Sequence, residues 1–167
     1  MKHVKWIFVV LLLCSLTSFI EKDKPTSGLN VGDIAPDFKI ETIVKEQSID
    51  LKELRGQYVL LSFWASYDAL SRVQNISLNN VLKSSAHSNN VTLVSVSFDD
   101  YESIFEETVR KDQIVTPNCF VETAGQQSKL YKRFKLKNGF ANYLLDVNGK
   151  IIAKNISAEE LTSYLDI

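Results

Sequence analysis

The chain has 167 residues, of which 45% are hydrophobic and 23% charged. A chain of this size and composition can bury the core of one ordinary globular domain. Its 19 Lys and Arg residues nearly balance its 20 Asp and Glu residues, for a net charge of −1. This balance excludes a general electrostatic attraction to nucleic acid or to anionic membranes.

The first 20 residues have the pattern of an export signal. A basic start at Met1–Lys5 precedes the apolar run Trp6–Leu13, and the sequence stays uncharged until Glu21. The apolar run is shorter than the roughly 20 residues that span a bilayer, although an uncleaved anchor is an alternative. We therefore predict an exported protein of the bacterial cell envelope, in the periplasm or anchored to the membrane.

Two fates of this signal stay open. Leu11–Cys14 resembles the lipoprotein motif, in which the cysteine is lipidated and becomes the new N-terminus, and the alternative is simple cleavage near Thr17 or Ser18. We expect membrane contact only through such an anchor or through a lipid on Cys14. Residues 21–28 lack an apolar period and predict a tether, which leaves residues 29–167 as the folded domain.

The first half of the domain predicts a short strand, a central strand and a helix. Residues 48–56 fit a short strand, a one-turn helix and a glycine stop. The continuous apolar run Tyr58–Trp64 is typical of a strand that is covered on both faces of a parallel sheet. Asp68 then caps a helix by accepting the backbone N–H of Ser71. The helix is predicted to bury its apolar positions, which are Val73, Ile76, Leu78, Val81 and Leu82.

The next segment repeats the strand and helix pattern. Val91–Phe98 is predicted to be the second central strand, and Asp99 or Asp100 is predicted to cap a helix over residues 101–111. A strand, a helix and a parallel strand in succession form a right-handed crossover. Residues 116–121 predict another strand, which is followed by a helix with the apolar stripe Leu130, Tyr131 and Phe134.

The chain ends in a predicted hairpin and helix. Strands over residues 142–146 and 151–153 flank Asn148-Gly149, a pair that favours the positive φ angles of a tight hairpin turn. Ser157 and Glu160 are spaced as a capping box for a last helix over residues 158–165.

The central stretch resembles the active-site motif of the thioredoxin superfamily. Phe63-Trp64-Ala65 and Arg72 match the pattern Phe-Trp-Ala-x-Trp-Cys-x-x-Cys-Arg of the exported TlpA/ResA-like thiol-disulfide oxidoreductases, a branch related to AhpC/TSA proteins. Val31–Phe38 is similar to the N-terminal segment of the same branch. The resemblance implies an α/β fold, a thioredoxin-like three-layer sandwich. Its mixed central sheet would be flanked by helices, with an N-terminal hairpin and a strand-helix insert.

The chain departs from this family at three positions. Asp68 and Ser71 occupy the positions of the two catalytic cysteines, and Phe140 occupies the position of the cis-proline. Disulfide exchange needs a thiolate nucleophile and a resolving thiol, which Asp68 and Ser71 cannot supply. A cis bond before a non-proline residue costs about 3 kcal/mol, so the peptide before Phe140 is predicted to be trans. We interpret the chain as a redox-inactive binding or scaffold domain.

Cys119 carries the alternative function. It is the one cysteine of the predicted mature domain and lies in an apolar strand, where a cysteine is typically a small buried hydrophobic residue. A thiol-disulfide oxidoreductase or peroxiredoxin-like antioxidant that acts through Cys119 is the competing reading. No metal site is predicted, because His3 and His87 cannot be grouped with cysteines into a zinc site, and no cofactor is predicted either.

A binding surface is predicted where the family has its dithiol. Tyr67, Leu70 and Phe140 would form an apolar patch on that face. Lys132 and Arg133 belong to a basic run over residues 129–137, which is either a solvated helix face or the rim of the patch. We expect the partner to be an acidic or extended polypeptide of the envelope, of unknown identity, and not nucleic acid.

Overall fold

The computed structural model describes residues 26–42, 47–84, 91–114 and 117–165. The predicted export signal with Cys14, most of the predicted tether and His87 lie outside these ranges. Within them, no helix is long and apolar enough to cross a bilayer. The described strands are β1 Lys39–Thr42, β2 Gln47–Asp50, β3 Tyr58–Trp64, β4 Val91–Ser97, β5 Cys119–Val121, β6 Asn142–Leu145 and β7 Ile151–Lys154. The described α-helices are α1 Ala69–Ser84, α2 Glu102–Lys111, α3 Lys129–Arg133 and α4 Ala158–Leu165.

A five-stranded mixed sheet forms the middle layer, in the strand order β5-β4-β3-β6-β7. β3, β4 and β5 are parallel to one another, whereas β6 runs antiparallel to β3 and β7 antiparallel to β6. β1 and β2 pair as a separate antiparallel hairpin before the sheet. The predicted thioredoxin-like α/β fold is thus confirmed, including the N-terminal hairpin and the insert formed by β5 and α3.

Alternating side chains of β3 fill the cores on the two faces of the sheet. Val59, Leu61 and Phe63 pack on one face with residues of the hairpin and of α3. Leu60 packs on the other face with residues of α1 and α4, and Trp64 packs with residues of α2. Because both faces are covered, every residue of β3 after its first is buried, as the unbroken apolar run predicted.

Helix α1 buries a more polar face than its apolar residues predicted. Leu78 and Leu82 are buried as expected, but Val73 is 62% exposed. Asn75 is buried instead, and its Oδ1 accepts a hydrogen bond of 3.0 Å from the hydroxyl of Ser95 on β4. The spacing of the apolar residues therefore did not predict the whole buried face of α1, because Ser95 of the facing strand bonds a polar residue of the helix.

One predicted helix cap is present in the structure and another is absent. The capping box of α4 is confirmed, since Glu160 accepts the backbone N–H of Ser157 at 2.8 Å and Ser157 accepts that of Glu160 at 3.1 Å. The prediction that Asp99 or Asp100 caps α2 was wrong. The residue at that cap is Tyr101, which makes no side-chain hydrogen bond to the helix, while Asp99 has other partners.

The turn between β6 and β7 depends on one glycine and one carboxylate. Gly149 has a φ of 78°, but Asn148 is not among the described residues with positive φ, so that half of the prediction was wrong. Asp146 Oδ1 accepts the backbone N–H groups of Asn148 at 2.8 Å and Lys150 at 2.9 Å. The side chain of Asp146 therefore closes a turn that the sequence attributed to Asn148.

Candidate functional site

The candidate site begins where β3 ends. Trp64 is fully buried, and its indole N–H donates to the hydroxyl of Ser95 at 2.8 Å. The carbonyl of Trp64 accepts the backbone N–H of Phe98 at 2.9 Å, which joins the ends of β3 and β4. Residues 65–68 then turn the chain into α1. The two parallel strands thereby fix the position at which the helix starts.

A buried carboxylate holds this turn from the side of β4. Asp99 is 2% exposed. Its Oδ1 accepts the backbone N–H of Ser66 at 2.9 Å and the Ser66 hydroxyl at 2.5 Å, and its Oδ2 accepts the hydroxyl of Ser97 at 2.6 Å. A buried charge is stable only when such donors replace its water shell. No local pattern distinguishes Asp99 from its exposed neighbour Asp100, and only the three-dimensional contacts identify the role of Asp99.

Asp68 and Ser71 form the first turn of α1, as predicted. Asp68 Oδ1 accepts the backbone N–H of Ser71 at 2.8 Å, and the Ser71 hydroxyl donates to the Asp68 carbonyl at 3.2 Å. Ser71 is buried. Both side chains therefore satisfy backbone groups of the helix end, and the geometry is that of an N-cap.

The arginine of the motif has a structural partner. Nε and Nη2 of Arg72 each donate to the carboxylate of Asp112 at 2.6 Å, which joins α1 to the end of α2. This hydrogen-bonded pairing with Asp112 raises the pKa of Arg72. A bidentate pair of this kind fixes the relative orientation of two helices.

Phe140 lies beside the first turn of α1, in the loop before β6. The described residues contain no cis peptide bond, so the peptide before Phe140 is trans, as predicted. The ring stacks on Phe98 with a centroid distance of 6.0 Å and meets Tyr131 edge-on at 6.3 Å. Phe140 is therefore only partly exposed, because much of its ring packs against the core.

Tyr67 and Leu70 are the exposed members of the predicted patch. Leu70 is 86% exposed and Tyr67 is 65% exposed. The ring centroids of Tyr67 and Phe140 are 6.4 Å apart, so these two residues do meet. Partial burial of the phenol is the main cause that raises the pKa of Tyr67, and the nearby carboxylates of Asp100, Asp99 and Asp68 act in the same direction. The phenol therefore stays protonated at neutral pH.

The two basic residues of the predicted rim have partners elsewhere. The ammonium of Lys132 donates to the carbonyl of Gln127 at 2.9 Å. Arg133 donates to the carbonyl of Asp37, in the segment before β1. The contacts thus favour the reading of Lys132 and Arg133 as part of a solvated helix face.

Cys119 lies away from this turn. It opens β5, two strands from β3 in the sheet, and pairs in register with Ser95. It is partly buried and packs against the cluster of Trp64, Phe105 and Ile114. A separation of two strands is about 10 Å, so Cys119 does not occupy the position of either family cysteine. Among the described residues, no three His, Cys, Asp or Glu side chains gather as a metal-binding group.

Comparison with known families assigns most of the described domain to one family. The sequence profile of the AhpC/TSA family matches residues 31–154. A thiol-disulfide oxidoreductase ResA from Oceanobacillus iheyensis is 23% identical over 167 aligned residues, which cover 96% of this chain and 84% of that protein.

Solved structures give the same assignment. The crystal structure of a thioredoxin-like protein from Parabacteroides distasonis ATCC 8503 is similar with a TM-score of 0.72 and 38% identity, and the match covers 86% of this chain and 100% of that one. A thiol-disulfide oxidoreductase from Bacteroides fragilis NCTC 9343 is similar with a TM-score of 0.69 and 26% identity, over 80% of this chain and 98% of that one. The fold is therefore shared with proteins that carry thiol-disulfide oxidoreductase names.

The contacts of Asp99 predict a large stability effect. Asp99→Ala removes the acceptor of three hydrogen bonds to Ser66 and Ser97, so the free energy of unfolding should fall by about 3 kcal/mol in urea denaturation. The backbone amide of Ser66 should also lose its protection from hydrogen exchange. Asp100→Ala is the matched control at an exposed neighbour and should change neither quantity. Equal effects of the two substitutions would contradict the role of Asp99.

Proposed function

The chain belongs to the AhpC/TSA family of the thioredoxin superfamily, and from this premise we propose that it is a binding or scaffold domain of the bacterial envelope without dithiol chemistry. The observation that carries the proposal is the first turn of α1. There the side chains of Asp68 and Ser71 form hydrogen bonds with the backbone of the helix end. These two residues stand at the positions where the family motif has its cysteines.

The chemistry of this turn supports the absence of disulfide exchange. Exchange requires a thiolate that attacks a disulfide sulfur and a second thiol that resolves the mixed disulfide. A carboxylate and a serine hydroxyl form neither sulfur bond. Asp99 is the nearby buried carboxylate, and both of its oxygens accept hydrogen bonds from Ser66 or Ser97. These bonds argue against a role for Asp99 as a general base.

The exposure of Tyr67 and Leu70 supports a binding role. Both are large apolar side chains that stay open to solvent on the helix start. Phe140 supports Tyr67 from behind, since its ring is fixed by Phe98 and Tyr131. A rigid aromatic support under an exposed aromatic residue is typical of interface anchors. Tyr67, Leu70 and Phe140 are therefore the proposed contact residues, and the partner is an envelope protein or peptide.

The proposed location depends on the N-terminus. Residues 1–20 have the basic and apolar regions of an export signal, and Cys14 offers a lipid attachment site. A lipid on Cys14, or an uncleaved anchor, would hold the domain at the membrane. Simple cleavage would release it into the periplasm.

One observation favours the competing function. Cys119 is partly rather than fully buried, and a reactive thiol needs access to solvent. A thiol-disulfide oxidoreductase or peroxiredoxin-like protein that acts through Cys119 would need a thiol of a partner as the resolving group. This function is the second candidate.

The first test measures turnover. With dithiothreitol as electron donor, the purified domain should not reduce insulin disulfides above the uncatalysed rate, because no Cys-x-x-Cys is present. An active thioredoxin is the positive control. Turnover that disappears in Cys119→Ser would transfer the function to the second candidate.

The second test measures binding at the proposed surface. A photo-crosslinking amino acid in place of Leu70 should form a specific product with an envelope protein in the native cells, and Tyr67→Ala should reduce its yield at least fivefold. Val147 is the matched control position, because it is an exposed apolar residue in the β6–β7 turn, at the opposite end of the sheet. A product that forms equally from position 147, or that persists unchanged with Tyr67→Ala, would contradict the binding surface.

A further inference from the structure

A cavity lies beside the loop that carries Phe140. It has a volume of about 260 Å³ and is lined by Phe134, Lys135, Tyr143, Lys154 and Asn155, by residues 138–141 and by Leu29 and Asn30. Phe140 separates it from Tyr67, because the Phe140 ring contacts Tyr67 and also lines the cavity. Nothing in the proposed function uses this space.

The charge of the cavity is positive. Lys135 and Lys154 line it, and no Asp or Glu does. In the part of the chain that the structure describes, neither lysine has a carboxylate within ion-pair distance. Two cations at one cavity, without an acidic residue to balance them, raise the local concentration of anions.

The position of one of these cations is fixed by an aromatic ring. The Lys154 ammonium lies 5.3 Å from the centroid of the Tyr143 ring, a cation–π contact. Burial raises the pKa of Tyr143, so the phenol is neutral at physiological pH. The ring therefore orients the ammonium without cancelling its charge. Tyr143 and Phe134 are both buried and give the cavity an apolar floor.

Amide groups complete the rim. Asn138 and Asn155 line the same cavity, and the side-chain NH₂ group of an asparagine can donate to oxygen anions. The backbone here is also unusual: Lys135 has a φ of 53° and Asn155 a φ of 54°. Such left-handed conformations cost energy in residues other than glycine, and two of the three described cases line this one cavity. The fold therefore holds Lys135 and Asn155 in an unfavourable backbone conformation at this cavity.

We infer that this cavity is a binding site for a carboxylate on a compact ligand, held by Lys135 and Lys154 with the amides of Asn138 and Asn155. The volume corresponds to about nine water molecules at roughly 30 Å³ each, which suits a ligand of about ten non-hydrogen atoms. The carboxylate could belong to a free small molecule or to the acidic side chain of a polypeptide, and the two sources share this chemistry.

The test is an NMR titration of the domain with sodium succinate. Backbone and side-chain amide signals of Asn138, Gly139 and Asn155 should shift saturably, and the affinity should fall as salt is added, since the rim is exposed. Succinamide is the uncharged control of the same shape and should bind at least tenfold more weakly. An acetylated and amidated Ala-Glu-Ala peptide is the second arm. Tighter binding of the peptide than of succinate assigns the site to a partner's side chain, and the reverse assigns it to a free ligand.

Substitutions of the lysines make the test specific. Lys135→Gln together with Lys154→Gln should weaken both carboxylate probes at least tenfold while the far-ultraviolet circular dichroism stays unchanged. Lys137→Gln is the matched control, because Lys137 is an exposed lysine of the same loop that does not line the cavity. Equal binding of succinamide and succinate, absence of saturable shifts, or equal effects of the control and the double variant would overturn the inference.

Discussion

The carboxylate of Asp99 is the contact on which the candidate site depends. It is buried just after β4 and binds the turn that leaves β3 through two hydrogen bonds from Ser66, while the hydroxyl of Ser97 on β4 donates a third. Desolvating a carboxylate is costly, so the arrangement persists only while these donors stay in place. The position of the turn, and with it the start of α1, is thereby fixed relative to the sheet.

The first turn of α1 has structural hydrogen bonds at the positions where the family motif has its reactive cysteines. In the motif, two cysteines at this turn cycle between thiol and disulfide. Here Asp68 accepts the backbone N–H of Ser71 at the helix start, the Ser71 hydroxyl bonds the Asp68 carbonyl, and Arg72 pairs with Asp112 at the end of the neighbouring helix. These contacts hold the turn from which Tyr67 and Leu70 extend into solvent.

The sequence predicted what local patterns determine. The buried run of β3, the cap by Asp68 and the capping box at Ser157 each depend on residues close in the chain, and the structure contains them. The sequence patterns could not predict contacts between segments that are distant in the chain. Asn75 is buried and accepts a hydrogen bond from Ser95 of β4, and Arg133 donates to the distant carbonyl of Asp37. The packing of Phe140 on Phe98 and Tyr131 likewise needed the assembled fold.

We propose that Asp68 is a structural cap and not a reacting acid, and the free energy of unfolding of two variants distinguishes these roles. Asp68→Ala removes the acceptor of the Ser71 N–H and should lower the free energy of unfolding by about 0.5–2 kcal/mol. Asp68→Asn retains a side-chain oxygen that can cap the helix and should stay close to the unsubstituted protein. Removal of a functional acid from a strained site often stabilises a protein. A higher melting temperature for Asp68→Ala would therefore contradict the role of Asp68 as a structural cap.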